Sequence, residues 1–322
     1  MVQTSPSNRQ QFVSYMGCNS DRSIVTRGVP QGSILGPLLF LIFINDLPLS
    51  VNRSSLHMYA DDQTLITKGK NLNEINTTVN SDIAPISNWM ISNSMRINTT
   101  KTKYVLIATP QKLKSIANNR NDDLLSVYIA GSKISQVNCG SILGVSLDET
   151  LSWNSHVNRL CLTLSKRIGL IRRLRQFIPK QNRIVLYYGL IQSSLDYCII
   201  VWGNTTECNI DKVFTLQKRL LRVLFELPYD FPSADLFNMF EVMSVRQRIF
   251  YFLAISAFNC FSQTAPRYLS DLFILNRNVN SYMTRSTALL NCYVPRFNLK
   301  VGQRSFRYRV VKVWNSLPAD IK

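Results

Sequence analysis

Near Leu151–Asn154 the apolar pattern passes from mixed strand and helix to helix alone, and that change restricts the possible folds more than any single residue does. Upstream, alternating runs at Gln11–Tyr15, Ser23–Arg27, Tyr104–Ala108, Leu125–Ala130 and Ile142–Leu147 predict strands. A polar, basic loop through Asn121 is expected between two of them. Leu72, Ile75, Val79, Ile83, Ile86, Trp89 and Met90 recur at helical spacing, so Asn73–Ser94 reads as an amphipathic helix, with Pro85 expected to kink or divide it. From Trp153 the pattern is helical through Arg175, then over Lys180–Ile200, Asp211–Phe225 and Val245–Phe261. The stretch from Ala265 is basic and less regular. An α+β part followed by a helical part is expected, and 322 residues of 46% apolar content are enough to build a core.

Chemistry concentrates in the first part. Tyr59-Ala60-Asp61-Asp62 lies between two apolar runs, so its carboxylates fall where the chain turns. Two aspartates at a hairpin tip repel one another, and a cation relieves that cost. Mg²⁺ takes oxygen ligands, often one or two carboxylates plus substrate phosphates. Metal-assisted phosphoryl or nucleotidyl transfer is one reading. A solvated turn is the other, and Asn121-Asp122-Asp123 reads as such a turn.

Upstream, Gly28, Pro30 and Gly32 predict a compact loop that a ligand can approach closely. The apolar run that follows, to Ile44, predicts a buried helix, capped by Ser33 or opened by Gly36 with Pro37 at its first position. Its free N–H groups would face the loop and suit a phosphate. An ordinary loop feeding a buried helix explains the same residues. The run is far short of the roughly 20 residues that span a bilayer.

Together, Gly28-Val29-Pro30-Gln31-Gly32-Ser33-Ile34-Leu35-Gly36-Pro37 and Tyr59-Ala60-Asp61-Asp62 resemble the palm of a reverse transcriptase, specifically that of non-LTR (LINE-type) retrotransposons. Trp89–Lys103, with Asn98, Lys101 and Thr102, resembles the next palm motif. Leu143–Asp148, followed by Leu151-Ser152-Trp153 and His156, resembles the primer-grip region. Tyr187–Asn204, Gln217–Leu224 and Val313–Pro318 resemble regions beyond the palm. The resemblance implies a partial palm over residues 1–152, an antiparallel sheet with packed helices. A helical thumb-like region over 153–264 and a basic C-terminal region over 265–322 would follow.

The implied chemistry is RNA-directed DNA synthesis, attack of a primer 3′-hydroxyl on a deoxynucleotide α-phosphate with two Mg²⁺ (or Mn²⁺) ions. On the matching positions Asp61 is the principal metal ligand and Asp62 its less direct partner. By the same resemblance Tyr59 would lie beside the nucleotide or primer terminus, and Gly28, Pro30, Gln31 and Gly32 would contact nucleotide and template. Lys101 neutralises or protonates the leaving pyrophosphate, or is a solvated loop lysine. An RNA template, a DNA primer and deoxynucleotides are the implied partners.

The family carries a further metal-binding aspartate on an earlier strand. Ser7–Val13 resembles sequence that follows that strand, so the chain is expected to be N-terminally truncated and inactive alone. Asp21, in Cys18–Asp21, reads as a turn residue and not a substitute ligand. The alternative is a non-catalytic nucleic-acid-binding remnant.

A formal net charge of +18 points to a polyanionic partner. Arg159, Lys166, Arg167, Arg172, Arg173, Arg175, Lys180 and Arg183 lie in a stretch without acids from Ser152 to Leu195. Lys166, Arg167, Arg172, Arg173 and Arg175 are the candidate phosphate contacts. A second basic cluster, Arg296 to Lys312, is interleaved with Phe297, Phe306 and Tyr308, which read as core residues before stacking platforms. The cysteines show no zinc spacing and read as reduced thiols of an intracellular protein, nuclear or in a cytoplasmic ribonucleoprotein. No membrane association is expected, and oligomeric state is not specified. His57 reads as a packed neighbour of the aspartate site.

Overall fold

Residues 10–25, 32–118, 125–279 and 290–319 are described by the computed structural model, and every sheet among them is two-stranded. Turn chemistry explains much of this. The ribbon of β1 (Gln10–Gln11), β2 (Ser14–Tyr15), β3 (Cys18–Asn19) and β4 (Ser23–Ile24) folds back at Met16-Gly17, with φ of 49° and 80°. Two positive φ values in a two-residue loop match the right-handed twist of the flanking strands, and glycine takes the second without strain. The expected turn at Cys18–Asp21 therefore begins as strand, and the reversal lies just before it.

Helix α1 (Gly36–Ile44) opens with Leu35 as its cap residue and no side-chain cap; the Gly36 N–H donates to the Ser33 carbonyl at 3.3 Å. The Ser33 hydroxyl does not cap it. Nor is α1 buried: only Gly36 and Ile44 are, while Leu38, Leu41, Ile42 and Phe43 stay exposed. A helix apolar on all sides needs cover on all sides, and α1 finds it on one, where Phe43 meets Trp89 edge-on at 5.9 Å.

A 3₁₀ turn, Leu47–Ser50, leads to the hairpin β5 (Ser55–Tyr59) and β6 (Asp62–Ile66). Helix α2 (Leu72–Ser92) then starts at Asn71, whose side chain accepts from the Glu74 N–H while the Glu74 carboxylate accepts from the Lys70 N–H, both at 2.8 Å. This reciprocal arrangement satisfies N–H groups at the helix start. Pro85 does not divide α2, which runs unbroken. The carbonyl that loses its i+4 partner is that of Ser81, an exposed residue.

Beyond α2, β7 (Lys103–Tyr104) pairs in parallel with β10 (Ser135–Gln136). The hairpin β8 (Tyr128–Ile129) and β9 (Ser132–Lys133) closes on Ala130-Gly131, again with both φ positive. Leu125, Val127 and Ile129 alternate into a core with Ile83 and Ile134, as the sequence pattern predicts for that run. The loop expected after Ala108 contains a helix, α3 (Pro110–Asn118), which begins on a proline and is capped by the Thr109 hydroxyl from the Lys112 N–H at 3.3 Å. The run Ile142–Leu147 is not one strand but the tip of a hairpin, β11 (Cys139–Ile142) and β12 (Val145–Asp148), reversing at Leu143-Gly144.

Helices follow: α4 (Asn154–Leu174), α5 (Arg183–Leu186), a π-helical turn (Tyr187–Gln192), α6 (Ser193–Asp196), α7 (Ile199–Trp202), α8 (Glu207–Phe225), α9 (Ser233–Met239), α10 (Val245–Phe261), α11 (Arg267–Ser270), α12 (Lys300–Gln303) and α13 (Phe306–Ser316). The helix expected over Lys180–Ile200 is broken at Tyr197, because Cys198 takes φ 51°. The stretch from Ala265 is more regular than its composition predicts. Val310, Val311 and Trp314 of α13 enter the same core as Val157, Leu164, Ile191, Leu221 and Leu253.

The chain divides into two compact units, Met1–Tyr104 with Asn119–Gln136, and Val105–Asn118 with Val137–Lys322. The first holds β5–β6 over small cores. The second holds the helices and β11–β12 around a large one.

Candidate active site and nucleic-acid surface

Alternation fixes which way the acidic hairpin presents its side chains. Leu56, Met58 and Leu65 pack toward Leu47, Ile86 and Met90. Tyr59 pairs across the ladder with Asp62, and His57 with Thr64. Cross-strand partners share a face, so Tyr59, His57 and Asp62 lie on the side opposite the core. Tyr59 is 67% exposed, and Asp61, Asp62 and His57 are exposed as well. His57 is thus not packed; its strand position carries it to the open face.

The tip is Ala60-Asp61, with Ala60 at φ 51°. Positive φ costs an L-residue about 1–2 kcal/mol, and backbone outliers of this kind cluster at functional sites. Neither Asp61 nor Asp62 pairs with a lysine or arginine among the described residues. Two unengaged carboxylates at one hairpin end are hard oxygen donors that fit a divalent cation completed by substrate phosphates. No group of three or more His, Cys, Asp or Glu able to hold a metal occurs among the described residues.

Asp82 holds this hairpin at its base, and the sequence reading passed it over. It is a buried acid on the core stripe of α2, and its carboxylate accepts the N–H groups of Asn52 and Arg53 at 3.3 Å and of Ser54 at 2.7 Å. Burial alone would raise its pKa, but the Ser54, Asn52 and Arg53 hydrogen bonds hold the carboxyl below its ordinary value. Ser54 and Thr67 join their hydroxyls at 2.7 Å across the base. An acid at an apolar helical position was the available signal.

Lys101 sits on a separate loop of the same unit. The Asn98 side chain accepts from the Lys101 N–H at 3.1 Å and from the Thr100 hydroxyl at 2.7 Å, which fixes the loop and leaves the Lys101 side chain exposed. Gly32 adopts φ 85° in the open. Gly28, Pro30 and Gln31, like Asn121-Asp122-Asp123, lie outside the described residues.

The basic residues from α4 to α5 divide by role. Lys166, Arg172 and Arg173 are exposed. Arg167 instead donates to the Leu190 carbonyl and the Ser194 hydroxyl, and Arg175 to the Val223 carbonyl at 2.5 Å. Arg183 is buried and donates to the Ile178 and Leu224 carbonyls, both at 3.0 Å. Glu226, at the end of α8, lies within 4.0 Å of Arg175, Lys180 and Arg183. The acid missing from the local sequence thus arrives from a later helix. Arg309, deep in the second basic cluster, donates to the Gly203 carbonyl and Asn204 Oδ1, and burial pushes its guanidinium pKa down. Phe306 packs on the helical core, in keeping with its reading as a core residue, while Phe297 and Tyr308 are half-buried outside it and meet edge-on at 6.0 Å.

Comparison with known proteins gives one consistent result. Residues 2–147 match the family model for reverse transcriptase (RNA-dependent DNA polymerase). The chain is 26% identical over 259 residues to the RNA-directed DNA polymerase from mobile element jockey of Drosophila funebris, covering 77% of this chain and 27% of that protein. It is 23% identical to the probable RNA-directed DNA polymerase from transposon BS of Drosophila melanogaster, over 75% of this chain and 27% of that one. The corresponding X-element protein of the same fly is 24% identical over 67% of this chain and 24% of its own length. The chain therefore spans about a quarter of the length of these three relatives. No solved structure matches. Among the described residues, no helix is long and apolar enough to cross a membrane.

Proposed function

We propose that this chain, a member of the LINE-type reverse transcriptase family, supplies the Asp61–Asp62 part of a nucleotidyl-transfer centre and a basic helical surface for primer–template. The observation that carries the reading is the exposed carboxylate pair, without an ion pair among the described residues, on a hairpin whose base is fixed by Asp82. When bound, divalent cations would supply Lewis-acid polarisation of the attacking and leaving oxygens. Asp61 and Asp62 would hold them, Mg²⁺ or Mn²⁺. Tyr59, on the face it shares with Asp62, would stack beside the incoming deoxynucleotide or primer terminus. Lys101 would meet the negative charge of the leaving pyrophosphate. The loop at Gly28, Pro30, Gln31 and Gly32 would contact nucleotide and template.

Residues 1–152 act in this reading as a partial palm, 153–264 as a thumb-like region and 265–322 as a basic C-terminal region. Lys166, Arg172 and Arg173 would neutralise phosphates of the RNA template and DNA primer. Arg167 and Arg175 would keep the shape of that surface. With no third acid beside the pair among the described residues, the isolated chain binds primer–template and extends it only when a further carboxylate is supplied.

A primer-extension assay on an RNA template with Mg²⁺ or Mn²⁺, run beside titrations of primer–template at rising salt, tests the reading. Salt-sensitive binding is expected. Extension by the wild-type chain that Asp61→Ala loses would show that the chain needs no further acid. Binding that ignores salt would reject the nucleic-acid surface.

A further inference from the structure

The hairpin β11–β12 is fixed to the helical unit at both ends. At its base, the Asp148 carboxylate accepts from the N–H and hydroxyl groups of Thr150 and Ser152, at 2.8 to 3.2 Å. The Ser146 N–H donates to His156 Nδ1 at 3.4 Å. The Thr205 hydroxyl donates to the Ser152 carbonyl at 2.8 Å. At its tip both turn carbonyls are taken from outside the hairpin. The Tyr197 hydroxyl donates to the Leu143 carbonyl at 2.6 Å, and the Arg159 guanidinium donates to the Gly144 carbonyl.

Tyr197 is itself held firmly. It occupies the break between α6 and α7, its N–H donates to the Ser193 carbonyl at 3.2 Å, and its carbonyl accepts from the indole of Trp202 at 3.0 Å. Trp202 is fully buried. The Tyr197 ring also lies against Gly144, where an added Cβ would sit 3.6 Å from the ring edge.

These tip contacts bury little. Tyr197 and Arg159 are exposed, and so are the Ile142 and Leu143 side chains at the turn. An exposed hydrogen bond adds little to stability, yet two of them, one from α4 and one from the break between α6 and α7, remove most of a turn's freedom to swing. The arrangement orients an apolar tip that stays open to a partner.

We infer that Tyr197 and Arg159 are positioning residues that hold the β11–β12 tip, so that the helical unit sets where the primer 3′ end lies. The inference rests on the reading of Leu143–Asp148 as the primer-grip region. A reacting end displaced by about 1 Å can cost roughly 10²-fold in rate, so a clamp of this kind affects placement more than affinity.

The test uses the full chain with a primer–template carrying 2-aminopurine at the primer 3′ end, in wild type, Tyr197→Phe, Arg159→Ala and Arg159→Lys. Amide exchange over residues 143–146 should quicken roughly five- to tenfold in Tyr197→Phe, as loss of one such bond predicts. The 2-aminopurine emission should shift toward that of unbound duplex in Tyr197→Phe and Arg159→Ala, with Arg159→Lys partly restoring it. Primer–template affinity should change less than about threefold.

Faster exchange with unchanged emission would overturn the inference, leaving a purely structural clamp. Unchanged exchange would overturn it too, since the bonds would not hold the tip. A collapse in affinity would make these residues direct contacts. Wild-type chain that binds no primer–template, while its tip exchange still responds to Tyr197→Phe, would trace the failure to the proposed function and not to the clamp.

Discussion

Hairpins β5–β6 and β11–β12 are built alike and used oppositely. Each is antiparallel with a two-residue turn, and each carries aspartate on its second strand. On β5–β6, Asp61, Asp62 and Tyr59 face solvent and form no ion pair among the described residues. On β11–β12, Asp148 is enclosed by Thr150 and Ser152, and the turn carbonyls go to Tyr197 and Arg159. One local geometry can thus offer polar groups or fix them. Hydrogen-bond partners, which depend on distant residues, decide which.

The sharpest break of this comparison exchanges charge for amide in both hairpins. Asp61→Asn, in an extension-competent complex, should cost about 4 kcal/mol of transition-state stabilisation, or roughly 10³-fold in extension rate. Its unfolding free energy should stay within about 0.5 kcal/mol of wild type, as for other exposed substitutions. Asp148→Asn should reverse the pattern, losing about 2–3 kcal/mol in urea denaturation because hydrogen bonds to a charged acceptor are lost. Equal stability losses in the two variants would abolish the distinction.

Acid should sharpen it further. Burial would raise the Asp148 pKa, but the Ser152 and Thr150 hydrogen bonds outweigh it and hold the carboxyl below 3.8. A folded-state pKa lowered in this way contributes stability above the unfolded value, and that stability is lost as pH falls through the folded one. The stability gap between wild type and Asp148→Asn should therefore be constant above about pH 5 and shrink below pH 3.8. A gap that persists unchanged into stronger acid would mean that the carboxylate charge does not hold the turn.

The basic helix gives a smaller contrast. Arg173→Ala, at an exposed position of α4, should flatten the salt dependence of primer–template binding by roughly 0.7–0.9 in log–log slope and leave stability alone. Arg175→Ala should leave the slope and lower stability by about 1–2 kcal/mol, since its guanidinium bonds the Val223 carbonyl. Identical slopes in both variants would show that exposure does not select the phosphate contacts.

Local physics was legible in the sequence, and long-range partnership was not. Alternation in Leu125–Ala130 identified the residues that enter the core. The helical periods of α2, α4 and α10 were visible, and so was the acidic hairpin. The turns at Met16-Gly17 and Leu143-Gly144 were missed, because a reading from apolar spacing runs through a glycine whose φ it does not consider. The openness of α1 was missed because apolar composition shows the need for cover and not its presence. Arg167 and Arg175 read as phosphate contacts, and Arg309 as one more charge of a basic cluster, since the carbonyls they serve are 23, 48 and 106 residues away in sequence. Asp82 was hidden for the same reason, its nearest N–H partner being 28 residues upstream.

The smallest effect concerns the turn residue that separates the two tips. Ala60 holds φ 51° against its Cβ, as Leu143 does at 46° in the first position of the other turn, but only β11–β12 follows it with a glycine, Gly144 at φ 78°. Ala60→Gly would release about 1 kcal/mol of that strain, but glycine adds about 0.5–1 kcal/mol of unfolded-state entropy. The two nearly cancel, so the denaturation midpoint should barely move. What changes is the breadth of the turn's conformational well, because alanine confines Asp61 to one approach and glycine does not. Amide exchange at Asp61 should quicken while the rest of β5–β6 keeps its protection, and extension in a competent complex should fall a few-fold through misplacement of the carboxylate. A stabilised Ala60→Gly variant with undiminished extension would show that the strained tip plays no part in holding Asp61.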